Sequence, residues 1–287
     1  MKEQKIKEPM YSKEGMGRLA KWVFGLPLIY VVYMLLALVI PRVSTGLRMT
    51  LCLNIVSYVV FLAATAVVVS RFLHFPIRRL LSQSEVFSFR RVLAGFVPMF
   101  VLGTGTTFVW MAIRPRDFRF SLQPMWPVDF LLSFVLVVLA ALLEEVLCRA
   151  YIAYFVSDQM ESRPKQKLLY CLASAIVFTI FHFENPEVSG NRAIYAMIFY
   201  FFMGFVLMAI TLETKGIEAA LGIHIANNLV NAWFFTYEDA ALKTNAIFTQ
   251  SNNIGPWTVI QAAFCVGLSA LVIMLGERRS ARSGSER

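Results

Sequence analysis

Within an otherwise apolar run from Phe130 to Val156, the segment Leu142-Leu143-Glu144-Glu145-Val146-Leu147-Cys148-Arg149 carries two carboxylates and a guanidinium. A charge at the centre of a bilayer costs roughly 2.5–3.5 kcal/mol on insertion scales. Three charges so close together exclude a lipid-facing surface, so the stretch must face protein or a wet cavity. On a helix, Glu145 and Arg149 are i,i+4 neighbours in the favourable order. Glu144 points about 100° away, with Cys148 as its own i+4 neighbour. Glu145 is thereby placed to pair with Arg149, and Glu144 is left as the carboxylate for chemistry. A structural ion pair locking two helices accounts for Glu145 and Arg149 but not for a second, adjacent glutamate.

The rest of the chain supplies such surroundings. It is 58% hydrophobic with a mean hydropathy of +0.63, far above a soluble domain, and its apolar runs are long enough to span a bilayer. The expected fold class is all-α, a polytopic transmembrane helical bundle of about eight spans: 22–40, 51–70, 92–113, 129–156, 167–183, 193–212, 217–236 and 257–276. The fifth and seventh carry histidine or asparagine. The chain divides into a basic cytoplasmic segment (1–21), N-terminal transmembrane helices (22–128), a core carrying the polar motifs (129–236), a loop and last span (237–276), and a basic, Ser-rich, disordered tail (277–287). The first apolar run reads as a retained span, not a signal peptide. Cys52, Cys148, Cys171 and Cys265 fall in or beside apolar segments without CxxC or Cys/His spacing, so neither a disulfide framework nor a zinc finger is indicated.

The net charge of +9 does not imply a nucleic-acid partner. A positive excess is normal for loops facing an anionic cytoplasmic leaflet. With eight spans and the N-terminus inside, 19 of the 27 Lys and Arg fall in inside segments and 7 outside, Arg149 being intramembrane. The expectation is a cell-membrane, multi-pass protein with both termini cytoplasmic. The loop carrying Arg114, Arg116 and Arg119 is the dissenting segment.

Two further constellations stand on separate spans. Phe178 and His182 share a face at the end of the fifth. His224, Asn228 and Asn231 form one stripe in the seventh, with Asn227 pointing elsewhere. Such polar groups can be interhelical glue, but a His one turn from an Asn can also donate to an oxyanion. His74, beside Phe75-Pro76 in a basic loop, reads as interfacial.

Taken in order, Glu-Glu-x-x-x-Arg, Phe-x-x-x-His and His-x-x-x-Asn resemble the family of CAAX proteases and bacteriocin-processing (Abi) membrane proteins, and are similar to the type II CAAX prenyl endopeptidases. The resemblance covers roughly 129–235 and departs from the family pattern at Cys148 and Ala150. It implies an intramembrane endopeptidase. Glu144 would be the base that activates water, oriented by Glu145 and Arg149. His182 would help hold that water, and His224 and Asn228 would stabilise the oxyanion. The implied partners are the bilayer and a membrane-associated peptide or protein tail. No cofactor is expected. A zinc site of Glu144, His182 and His224 is the mechanistic alternative, although no HExxH motif is present. A thiol mechanism through Cys148 and a proton-relay transporter are weaker readings, and a non-proteolytic immunity or regulatory scaffold is the alternative function. For Glu144, His182 and His224 to meet, the fifth or seventh helix must be short, tilted or broken around a water-filled cavity.

Overall fold

The computed structural model describes residues 13–38, 46–82, 86–153, 164–190, 193–238, 240–251 and 255–285. Positions 1–12 of the expected N-terminal segment lie outside them. Each predicted span has its helix: α1 (Lys13–Ala37), α2 (Leu47–Val67), α4 (Phe89–Ile113), α5 (Trp126–Glu145), α6 (Pro164–Phe181), α7 (Ala193–Thr214), α8 (Glu218–Leu229) and α9 (Pro256–Ser285), with the short α3 (Ile77–Leu81) between α2 and α4. The chain is an all-α polytopic membrane bundle.

Among the described residues, six helices are long and apolar enough to cross a membrane: α1, α2, α4, α5, α7 and α9. The expected count of eight is not confirmed at the fifth and seventh, α6 and α8. The 12 residues of α8 rise only about 18 Å. α6 opens Pro-Lys-Gln-Lys, which leaves too little apolar length. A second difference lies at the C-terminus. α9 runs on through Ser285, so the tail expected to be disordered from 277 is helical to that point.

Among the described residues, three helices end on a π turn: α2 at Val68–Phe72, α5 at Val146–Ala150 and α8 at Val230–Phe234. Each closes with an i→i+5 bond, such as Tyr151 N–H to Val146 O. π turns widen a helix locally and recur at functional sites. Here two of them directly follow the charged stretch of α5 and the polar stripe of α8.

The tightest crossing joins α4 to α8. A Cβ on Gly222 would collide with Val92 O, and one on Gly95 with Ala219 O, so only glycine permits the backbones to approach this closely. Ser88, the N-cap of α4, donates its N–H to Glu218 Oε1 at 3.3 Å and so ties the start of α4 to that of α8. α6 meets α7 in the same manner, a Cβ on Gly204 coming within 2.6 Å of Ala175 Cα. Arg91 grips Glu277 with two bonds (2.9 and 3.1 Å) and anchors α4 to α9. Asp129, 2% exposed, takes Arg48 Nε (2.7 Å) and Asn245 Nδ2 (2.8 Å), joining α2, α5 and the segment before α9.

One end of the bundle carries a small sheet not foreseen from the sequence: β1 (Phe118–Phe120), β2 (Phe235–Tyr237) and β3 (Phe248–Gln250), in the order β1-β3-β2. β1 pairs antiparallel with β3 (Phe118 opposite Gln250) and β2 parallel with it (Phe235 opposite Phe248). Cross-strand rings hold it, Phe235 stacking on Phe248 at 5.8 Å.

Candidate active site

Glu145 and Arg149 are paired as their spacing predicts, Nη1 to Oε1 at 3.0 Å, and both side chains are fully buried. Arg149 also donates from Nη2 to Met203 O (3.4 Å) and lies over the Phe178 ring, 4.1 Å from its centre. A guanidinium over an aromatic face gains a further, desolvated attraction. The same Glu145 oxygen takes His224 Nδ1 at 2.7 Å, so one carboxylate anchors a cation on its own helix and an imidazole on α8. The π turn that follows is braced from α6: Ser174 Oγ donates to Cys148 O (2.8 Å) and reaches Gly204 O (3.3 Å).

Glu144, one residue earlier, points elsewhere. Its Oε2 stands 3.6 Å from His182 Nε2 and 3.5 Å from His224 Nε2. The other nitrogen of each ring has a defined partner. His182 Nδ1 is 2.6 Å from Phe178 O, and His224 Nδ1 is on the Glu145 carboxylate. A carbonyl or carboxylate oxygen only accepts, so both Nδ1 atoms carry their hydrogen. Both Nε2 atoms are therefore the ones turned toward Glu144, as lone pairs in the neutral rings and as donors in the charged ones.

These groups open onto a cavity of about 1080 Å³ lined by Glu144, His182, His224, Asn227, Asn228 and Asn231, with an aromatic and aliphatic wall that includes Tyr30, Tyr33, Tyr58, Phe61 and Met99. The structure thus brings Glu144, His182, His224 and Asn228 to one cavity and keeps Glu145 and Arg149 beneath it. A cavity lined by residues of all three motifs is present, and α8, which contributes to its wall, is short and ends on a π turn. Asn228 Oδ1 accepts from Asn227 Nδ2 at 3.1 Å. With that oxygen engaged, Asn228 has its Nδ2 hydrogens to offer. Asn227, expected to point away, also lines the cavity.

A further group was not foreseen. Tyr200 on α7 stacks on the His182 ring (centroids 4.1 Å, 29°), while Phe178 tilts against the same imidazole at 4.3 Å. The Tyr200 hydroxyl donates to Glu187 Oε1 (2.8 Å) and accepts from Asn185 Nδ2 (3.2 Å). The turn after α6 places both partners, through Asn185 N–H to His182 O (3.1 Å) and Val188 N–H to Asn185 O (2.9 Å). Tyr200 lies in a run of aromatic residues and carries no motif. The only sequence signal is the polar density of Glu184-Asn185-Pro186-Glu187 directly after His182. Among the described residues, no three His, Cys, Asp or Glu side chains are already gathered as a metal-ligand set.

Comparison with known proteins bears on the same region. The chain is 28% identical over 169 residues to the uncharacterized protein YyaK of Bacillus subtilis (strain 168), an alignment covering 58% of this chain and 54% of YyaK. The matched region therefore spans about half the length of that relative. No solved structure matches. Residues 126–230 match the family described as type II CAAX prenyl endopeptidase Rce1-like. The matched block runs from the first residue of α5 to the π turn after α8, and all three polar motifs lie inside it.

Proposed function

We propose that the chain is an intramembrane endopeptidase that hydrolyses a peptide bond in a membrane-associated peptide or protein by glutamate-activated water. The observation that carries this reading is the position of Glu144 Oε2, 3.5 and 3.6 Å from two imidazole Nε2 atoms in the wall of a cavity of about 1080 Å³. Peptide hydrolysis needs a base, a water and an oxyanion site. Glu144 takes a proton from water held against it and His182. The water oxygen bonds to the scissile carbonyl carbon. The resulting oxyanion is met by Asn228 Nδ2 and by the Nε2–H of His224 in its charged form, whose Nδ1–H rests on Glu145. Collapse breaks the C–N bond, and Glu144 returns its proton to the leaving amine. Glu145 and Arg149 hold His224 and the end of α5 in place and touch no substrate.

On this reading the catalytic core is 129–236, and the other helices build the far wall of the cavity. The excess of Lys and Arg in the inside loops supports cytoplasmic termini.

The test is turnover. The full chain is purified in detergent and offered a pool of quenched peptides, lipidated ones included, beside Glu144→Ala. Cleavage by the wild type that vanishes in Glu144→Ala supports the proposal. Equal cleavage by both overturns the assignment of Glu144. A chain that cuts nothing but protects cells as well with Glu144→Gln as without it acts as a scaffold.

A further inference from the structure

A second polar group lines the cavity, on helices outside the matched block 126–230. Gln261 of α9 lies in the cavity wall with Gly103 and Thr107 of α4. Its Nε2 reaches Thr107 Oγ1 at 2.7 Å, Thr106 Oγ1 at 2.8 Å and Gly103 O at 3.3 Å. Both threonine hydroxyls spend their hydrogen on their own helix, Thr106 on Leu102 O (2.7 Å) and Thr107 on Gly103 O (2.8 Å). Toward Gln261 they can only accept, so the amide is fixed with its nitrogen on α4. Oε1 is left as an acceptor with no donor among the described residues, and its wall neighbours Val230 and Ala262 are apolar. Interhelical hydrogen bonding accounts for the Nε2 side of Gln261. It does not account for Oε1, because an acceptor held without a donor among apolar groups carries a penalty that an incoming N–H removes.

A Cβ on Gly103 would touch Val230 Cγ2 at 3.4 Å, so this patch lies against the start of the π turn after α8. From Val230 back to His224 the helix rises about 9 Å. An extended peptide covers that distance in about three residues. A peptide in a cavity with largely apolar walls must find partners for its own N–H and C=O groups. Resting on the endopeptidase reading, we infer that Gln261 Oε1 is a substrate-binding acceptor that takes one main-chain N–H of an extended peptide, about three residues from the bond cut. A main-chain bond gives affinity without choosing a side chain. It sets the register of the peptide against Glu144, and it disfavours proline, which has no N–H, at that one position.

The experiment uses the full chain in detergent, carrying Glu144→Gln to block turnover under the proposed mechanism. The probe is a short fluorescent apolar peptide of non-repeating sequence, capped at both ends. Each of its amides is N-methylated in turn, and binding is read by anisotropy. The expected result is one position at which the methyl group weakens binding about tenfold, the scale of a hydrogen bond left unmade in an apolar site. Adding Gln261→Met weakens binding of the parent peptide by a similar factor and cuts the cost of that methyl group to below about twofold, since the two changes remove the same bond. A Gln261 that only joins α4 to α9 leaves the methylation profile the same in both proteins, and that result overturns the inference. A flat profile, or no binding by any peptide, overturns it too, and neither outcome depends on how Gln261→Met folds. Wild-type protein with the parent peptide, read by mass spectrometry, separates the two readings. A peptide bound through the Gln261-dependent position but left intact removes the endopeptidase. A peptide cut far from about three residues of that position removes the assignment of Gln261 alone.

Discussion

Glu145 reaches His224 across 79 residues of chain, carboxylate oxygen to Nδ1 at 2.7 Å, with neither side chain appreciably exposed. That bond makes two adjacent glutamates unequal. Glu145 is committed to protein partners, and Glu144 faces the cavity.

Replacing the two residues separates these roles. Glu145→Ala strands the fully buried Arg149 and should cost about 3–5 kcal/mol, the usual penalty of an uncompensated buried charge. Glu144→Gln removes a cavity-facing charge and should leave the melting temperature nearly unchanged. Thermal unfolding in detergent checks both, and similar losses for the two variants would contradict the division.

Turnover should show the opposite order of detail. Glu144→Gln is expected to lower kcat by about 10²–10⁴, the range for losing a general base, in protein that still melts like wild type. The wild-type rate should persist in EDTA. Loss of activity on chelation, restored by zinc, would move Glu144, His182 and His224 into a metal-ligand role.

Tyr200 is expected to act through His182. Tyr200→Phe keeps the stacked ring and loses the bond to Glu187. Tyr200→Leu loses both, and should reduce kcat by about 10²-fold with KM little changed, as misplacement of a catalytic group does. Because the chain has only three histidines, His74, His182 and His224, imidazole ¹⁵N resonances can be assigned by substitution. The His182 signals should move in Tyr200→Leu and those of His74 should not. A fall in kcat without a change at His182 would place Tyr200 in a purely structural role.

The α4–α8 crossing offers a stability test. Gly222→Ala drives a methyl into Val92 O and should destabilise by about 1–3 kcal/mol. Gly267→Ala in α9, where nothing lies within 4 Å of the added carbon, should be neutral or stabilising. Comparable losses in a melting assay would mean that the crossing is not the tight point.

Hydropathy makes the crossing helices legible in the sequence, because each must bury its backbone polar groups over a bilayer's thickness. The i,i+4 spacing likewise makes the Glu145–Arg149 pair legible, since both partners lie on one helix. Less can be read where contact is made between distant segments. Nothing in the spacing of Glu144 states that it meets two rings rather than one. Tyr200 is indistinguishable from the aromatic residues around it until His182 is laid on its face. The three-residue strands are too short to show a period, and β2 follows directly from a helix. A helical wheel gives the direction of Asn227 but not the width of the cavity, which takes both Asn227 and Asn228 into its wall.

Where α4 meets α8 through Gly95 and Gly222, main-chain atoms set the distance between the helices. Main-chain atoms have no rotamers and cannot repack. The offset of His224 and Asn228 from α4 is then inherited from covalent geometry. Changes in bilayer thickness, which tilt helices and loosen side-chain contacts, have little purchase on it. The same chain should therefore keep its cavity floor in membranes of quite different lipid length, with the adjustment taken up by α1 and the other thinly buried helices at the rim.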